Sequence, residues 1–332
     1  MRILFDILII LCSLSLLILG AEWLLQGAVT IARRKKISDL AIASTLIAFG
    51  TGLPTIAVNI ALMCISPNGM DVVVGNALGT NFVNIGLGLG ISASIVAINT
   101  KYQVFEKEIT IFLALSAVLV STVFDSKVNR IEGLLLFSIY LVTLYILYQY
   151  SHRENVGEVD KTQIDLNTST ISNTVTKEIS MWKVSLRVLI GIVFLSVFSV
   201  ILAFMTERFA LDFGISEYIL GLTVIGVGTS LPMIVTSIRS AFKGYTDIIL
   251  GNVFGSTIAN IGLGLGIPAI IGTLSFNQEA VLDLYLFNIL NVFVILSILI
   301  EGKILGKNKI LTRPIGLIIL ICYFVYLSSK IF

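Results

Sequence analysis

Oxygen-bearing side chains recur in pairs inside otherwise apolar sequence. Gly50-Thr51-Gly52-Leu53-Pro54 returns 178 residues later as Gly228-Thr229-Ser230-Leu231-Pro232. A second block, GNALGTNFVNIGLGLGI at 75–91, returns 176 residues later as GNVFGSTIANIGLGLGI at 251–267. One two-part unit has been duplicated.

These residue types could line a cavity with oxygens. Proline removes a backbone donor and collides with the preceding turn. Pro54 and Pro232 are therefore expected to break or kink their helices, with Gly50, Gly52, Gly226 and Gly228 loosening the same turns. Backbone groups released inside a membrane must find neighbours, water or an ion. Thr51 and Thr229 place hydroxyl oxygens at those turns. Thr80 with Asn84, and Ser256 with Asn260, stand four residues apart and share a helical face. Gly75 and Gly79, and Gly251 and Gly255, have the small-xxx-small spacing that lets helices approach. Two interrupted helices and two oxygen-bearing helices would line a central cavity with oxygens. Gly, Ser and Thr are also common packing residues, and one GxxxG or one proline kink carries little weight. The joint recurrence of both blocks, including the octapeptide NIGLGLGI, favours the cavity. The Gly-x-Gly-x-Gly tails at 86–90 and 262–266 do not read as a dinucleotide fingerprint, because no strand precedes them.

The elements that hold these residues are membrane helices. Hydrophobic residues make up 56% of the 332 and charged residues only 13%, where a soluble domain carries roughly 25% charged. Mean hydropathy is +1.00. Apolar runs recur near the ~20 residues a helix needs to cross a bilayer. The spacing predicts helices at about 3–32, 37–65, 72–98, 109–124, 131–150, 184–209, 215–242, 246–271, 281–300 and 314–331. The first is too long for a signal peptide and is interrupted by Glu22. The expected fold class is an all-α polytopic membrane protein of ten transmembrane helices in two inverted five-helix repeats, at 1–150 and 184–332. A polar linker at 151–183 joins them and holds His152, the single histidine, whose ordinary reading is a solvated loop side chain. Cys12, Cys64 and Cys322 lie alone, without metal or disulfide spacing. A net charge of +2 gives no reason to expect a nucleic-acid partner; the expected partners are the lipid bilayer and transported ions.

Seventeen of the 22 lysines and arginines fall in one set of loops, which the positive-inside rule assigns to the cytoplasm. Both termini are then outside, the linker is cytoplasmic, and the location is the plasma (inner) membrane. With five helices per half, the two copies of the unit have opposite orientation. Inverted repeats with Gly/Pro-interrupted helices at matching positions point to a secondary transporter with a midplane site.

The two five-residue turns, the GNALGTN and GNVFGST blocks, and the leading segments GAEWLLQGA (20–28) and GISEYILGLTV (214–224) resemble the calcium/cation antiporter superfamily, Na+/Ca2+ exchanger type, over essentially the whole chain. The resemblance implies a ten-helix inverted repeat and antiport by alternating access, with helices 1 and 6 moving against the rest. Na+ or H+ would drive the exchange, and Ca2+ would be the cargo. It also implies ion-binding oxygens at Thr51, Gly52, Thr55, Thr80 and Asn84, and at Thr229, Ser230, Met233, Ser256 and Asn260. In the family a glutamate follows each Leu-Pro and is a principal Ca2+ ligand. Here Thr55 and Met233 stand in its place, and none of the ten positions is acidic.

Ca2+ takes six to eight oxygens, carboxylates among them, and a thioether is a poor partner for a hard cation. The neutral set suits a monovalent cation (Na+, K+ or H+) better, and a small polar non-metal solute is the further alternative. No cofactor is expected beyond transported Na+ and, by resemblance, Ca2+. An intramembrane enzyme would need a nucleophile–base pair at depth, which the chain does not offer, so none is expected. Glu22 and Asp283, near predicted helix ends, are read as interfacial. Asp71 and Asp247, at matching helix starts, are read as N-terminal caps.

Overall fold

The computed structural model describes residues 2–34, 45, 47–65, 69–98, 102–122, 125–154, 180–213, 216–304 and 311–331. Without water, backbone groups in the bilayer must pair within their own segment, and the described chain is almost entirely helical. Among the described residues ten helices form: α1 (Arg2–Arg34), α2 (Ala48–Ile65), α3 (Gly69–Ile95), α4 (Tyr102–Thr122), α5 (Arg130–Glu154), α6 (Met181–Phe213), α7 (Glu217–Phe242), α8 (Thr246–Ile271), α9 (Gln278–Ile304) and α10 (Arg313–Ile331). Six of them contain stretches long and apolar enough to cross a membrane, with shorter apolar stretches in α1, α2 and α4. Linker residues 155–179 lie outside the described residues, as do the basic cluster at 35–36 and the turn at 66–68. His152 falls in the last turn of α5 rather than in a loop.

The helices run through both prolines, so the expected breaks at Gly50–Pro54 and Gly228–Pro232 do not occur. Each proline deprives a single carbonyl, that of Gly50 or Gly228, of its helical donor. Neighbouring carbonyls gain hydroxyl donors instead: Thr51 Oγ1 to Ala48 O (3.3 Å), Thr229 Oγ1 to Ile225 O (2.9 Å) and Ser230 Oγ to Gly226 O (2.6 Å). The departures from α geometry lie elsewhere. Wide π-turns occupy Asn84–Leu89 in α3, Gly221–Ile225 in α7 and Asn260–Leu265 in α8. Such turns are frequent at functional sites.

The repeated glycines prove to be packing positions. Tyr323 of α10 lies on Gly86 and Tyr140 of α5 lies on Gly262; Gly90 faces the α10 backbone near Gly316 and Gly266 faces the α5 backbone near Gly133. Gly86 and Gly90 thus seat α10 and Gly262 and Gly266 seat α5, while Gly88 and Gly264, between them, lie against Met233 and against Asn260 and Asn59 at the centre. Gly75 and Gly79 lie against the α7 backbone at Tyr218 and Leu222, and a Cβ on Gly79 would overlap the Leu222 carbonyl. Gly79→Ala is therefore expected to push α3 from α7 and lower stability by about 1–3 kcal/mol. Thermal unfolding of the detergent-solubilised protein measures this, and an unchanged midpoint would contradict the seam.

Two short β contacts tie the connections together. Strands β1 (Lys127–Val128) and β2 (Leu274–Ser275) pair antiparallel, joining the α4–α5 and α8–α9 connections. The bridge Ile98↔Leu311 does the same for the α3–α4 and α9–α10 connections. The main core, centred on Leu78, Leu89, Phe112, Phe254 and Phe287, draws no described side chain from α1 or α6. These two helices share a separate cluster, in which Leu202 packs with Ile10, Leu14, Val188 and Phe198 and with Leu53 of α2.

The acids divide. Asp71 and Asp247 lie in the first turns of α3 and α8, where a carboxylate complements the positive end of the helix dipole. The side chain of Glu22 lies outside what is described. Asp283 is not interfacial: it is fully buried, its Oδ1 lies 2.8 Å from Lys330 Nζ, and its Oδ2 accepts from Tyr218 OH at 2.5 Å. A desolvated carboxylate is tolerable only with such partners. The sequence reading missed them because they come from α7 and α10.

Candidate functional site

The repeated residues of α2, α3, α7 and α8 meet in two clusters that mirror each other. In the first, Thr55 of α2 donates to Thr229 of α7 (3.1 Å). Thr229 lies 3.3 Å from Asn76 Oδ1 and 3.4 Å from Thr80 Oγ1, and Thr80 lies 3.3 Å from Asn76 Oδ1. In the second, Thr51 Oγ1 of α2 lies 3.0 Å from Asn252 Oδ1 of α8, which competes with the Ala48 carbonyl for its proton, and 3.1 Å from Ser256 Oγ. Thr51 and Thr229 thus perform the same task in opposite halves, as the repeat requires.

Behind each hub asparagine stands a second polar residue. Asn76 Nδ2 donates to Asn59 Oδ1 (2.6 Å), and Asn59 Nδ2 to the Gly264 carbonyl (2.8 Å). In the mirrored position Asn252 Nδ2 donates to Ser237 Oγ (3.1 Å) and to the Met233 carbonyl (3.3 Å). These bonds fix both amides, so the carbonyl oxygens of Asn76 and Asn252 face the threonines. Asn84 and Asn260, at the heads of the π-turns, cross between α3 and α8. Asn84 Nδ2 donates to Thr257 Oγ1 (3.4 Å), and Asn260 Nδ2 donates to Asn81 Oδ1 and to the Ala77 carbonyl (both 2.8 Å). Their Oδ1 atoms are buried and lack a hydrogen-bond partner among the described residues. A buried acceptor without a donor costs about 1–3 kcal/mol, and a cation is the partner that two such oxygens suit.

Of the ten positions expected from the sequence, Thr51, Thr55, Thr80, Thr229 and Ser256 enter the two clusters through their side chains, and Asn84 and Asn260 flank them. Ser230 turns back onto its own helix at Gly226 O. Gly52 is buried, and a Cβ built on it meets nothing within 4 Å, so space remains beside it. Met233 is buried with its sulfur against Gly88, where a Cβ would overlap it, and 3.5 Å from Ser237 Oγ. Asn76, Asn252, Asn59 and Ser237 were not anticipated. The signal was present. Asn76 and Asn252 are the asparagines of the repeated Gly-Asn dipeptide, and Asn59 and Ser237 each follow the Thr of their turn by eight residues.

The site is buried, oxygen-lined and neutral in every side chain of both clusters, and no group of three or more His, Cys, Asp or Glu among the described residues could hold a metal. Ten helices, an internal repeat and a central oxygen site define a polytopic membrane transporter. Comparison with known proteins gives the family. The sodium/calcium exchanger protein family model matches residues 5–149 and 184–332, so the chain belongs to that family. It is 28% identical over 96% of both chains to the putative antiporter CaxA of Alkalimonas amylolytica. It is 31% identical over 79% of both chains to the inner membrane protein YrbG of Escherichia coli. The sodium/calcium exchanger MaX1 of Methanosarcina acetivorans is 27% identical over 81% of this chain and 84% of its own. Among solved structures, the sodium-calcium exchanger NCX_Mj soaked with Na+ and Sr2+ superimposes over 98% of both chains with a TM-score of 0.69 and 25% identity. The chain is a secondary antiporter of the exchanger type.

Proposed function

We propose that this antiporter carries a monovalent cation through the Thr/Asn site and does not load Ca2+ as relatives named sodium/calcium exchanger do. The observation that carries the proposal is the neutrality of the clusters, with Thr55 and Met233 following the two prolines. The Born cost of desolvating an ion grows with the square of its charge, so a divalent ion costs roughly four times a monovalent one of equal size. Hydroxyls and amides supply dipoles but no countercharge. A monovalent ion asks only for the oxygens that Thr51, Thr55, Asn76, Thr80, Thr229, Asn252 and Ser256 provide.

The remaining features belong to the same reading. The repeats at 1–150 and 184–332 are joined by a cytoplasmic linker at 151–183, with both termini outside the plasma (inner) membrane; the lysine and arginine distribution supports this. The separate apolar cluster of α1 and α6 supports their movement as a pair past the centre.

Radiotracer flux in proteoliposomes tests the proposal. The expected result is exchange of labelled Na+ or Rb+ driven by an opposing monovalent or proton gradient, with no uptake of labelled Ca2+. Na+-gradient-driven Ca2+ uptake that is lost in both Asn84→Ala and Asn260→Ala would overturn it. Indifference to every cation, together with thermal stabilisation by a polar organic solute, would favour the non-metal alternative.

A further inference from the structure

A charged pair is buried in the second half, apart from both clusters. Asp283 of α9 has Oδ1 2.8 Å from Lys330 Nζ of α10, and its Oδ2 accepts from Tyr218 OH of α7 at 2.5 Å. All three residues lie within stretches apolar enough to cross a membrane. Stability alone does not call for such a pair, because well-packed apolar residues in its place are often as stable. An ionisable residue inside a membrane span is read first as functional. What the carboxylate supplies and apolar packing lacks is fixed geometry: a charge-assisted O–H···O bond of this length holds its donor in one place.

Both partners of the carboxylate lead to α3. Tyr218 lies in the first turn of α7, and its carbonyl packs on Gly75; Gly221, at the head of the π-turn in α7, lies against the Val72 carbonyl and the Asn76 backbone nitrogen. On the other side, Lys330 Nζ stands 5.9 Å from the centre of the Tyr326 ring, within cation–π reach. That ring stacks on Phe82 of α3 with centroids 3.9 Å apart. Asn76 and Thr80 of the first cluster lie between these two grips. The mirrored half has no counterpart by residue type. At the spacing that relates Tyr140 and Gly133 of α5 to Tyr323 and Gly316 of α10, Lys330 is matched by Leu147; at the spacing of the two turns, Tyr218 is matched by Leu40.

We propose that Asp283 and Lys330 are positioning residues for transport. Through Tyr218 and Tyr326 they hold α3 on both sides of Thr80 and so set where the Asn76 carbonyl stands. This rests on the reading of the clusters as the cation path, and not on which cation is carried.

Exchange by the full-length protein in proteoliposomes tests it, with labelled Na+ and labelled Ca2+ run in parallel and initial rates measured against concentration. Tyr218→Phe leaves the charged pair intact and removes only the hydroxyl; it is expected to raise KM by about three- to tenfold with kcat within about twofold. Asp283→Ala with Lys330→Met is expected to raise KM by a similar factor. Asp283→Asn with Lys330→Met keeps an acceptor for Tyr218 and is expected to recover most of it. Adding Tyr218→Phe to Asp283→Ala with Lys330→Met should raise KM no further, because both changes act through one bond. A purely structural pair would change the unfolding temperature but not the KM of the protein that folds. Wild-type KM in Tyr218→Phe and in Asp283→Ala with Lys330→Met, alongside lost affinity in Thr229→Val, would overturn the proposal and leave the cation path intact. Wild-type KM in Thr229→Val as well would overturn that path itself. If Tyr218→Phe fails to fold, the two double variants carry the same test.

Discussion

Thr229→Val will cause the largest loss of transport of any conservative change in this protein. The substitution keeps the shape of the side chain and removes one hydroxyl. That hydroxyl is the hub of the first cluster: it accepts from Thr55 and lies within hydrogen-bond distance of Asn76, Thr80 and the Ile225 carbonyl. Valine leaves the Thr55 hydroxyl without its acceptor in a fully buried place and leaves the Asn76 carbonyl with Thr80 alone. Each unsatisfied group costs about 1–3 kcal/mol, and the cation loses a ligand. Cation affinity should fall by about ten- to a thousandfold, since each 1.4 kcal/mol is roughly tenfold. Concentration dependence of exchange in proteoliposomes measures it. Thr229→Ser retains the hydroxyl and should retain most of the activity. A Thr229→Val protein that transports at the wild-type rate would remove this hydroxyl from the mechanism.

Asp283→Ala will produce the largest loss of stability. Asp283 is 0% exposed and is held between Lys330 Nζ and Tyr218 OH. Its removal leaves the Lys330 ammonium with a side chain only 11% exposed and no countercharge at that position. Breaking a buried pair from one side typically costs about 3–5 kcal/mol, whereas replacing both charges with apolar groups is often nearly neutral. Asp283→Ala should therefore unfold at a markedly lower temperature, and adding Lys330→Met should recover most of the loss. If the double variant is less stable than Asp283→Ala, the pair is not coupled as its geometry requires. The consequence reaches α7, because Tyr218 sits at the start of that helix and its carbonyl packs on Gly75, next to the hub residue Asn76.

The ten helices, the duplicated unit and its two threonine turns were legible in the amino-acid order, because membrane insertion writes itself as hydropathy and an inverted repeat writes itself as recurrence. Thr51, Thr80, Thr229 and Ser256 could be named as facing the centre on helical spacing and repetition alone. Three things could not be read that way. Proline signalled a broken or kinked helix, yet α2 and α7 continue unbroken through Pro54 and Pro232. Asp283 looked interfacial from its place in α9, yet its partners arrive from α7 and α10, more than 40 residues away in each direction. The leading glycines of NIGLGLGI looked like part of the cavity, yet Gly262 receives Tyr140 and Gly86 receives Tyr323.

The sequence by itself determined the architecture, the family and the absence of carboxylate from the repeated turns, all properties of residue type and order. Tertiary structure alone decided which oxygens meet. Hydrogen-bond geometry depends on the relative rotation and depth of four helices, and a rotation of one helix by a single residue would exchange Asn76 for its neighbour. Packing placed Asn59 behind Asn76 and Ser237 behind Asn252, and turned the Met233 sulfur toward Gly88. A repeat that is nearly symmetric in sequence thereby becomes, at its centre, a pair of unequal halves.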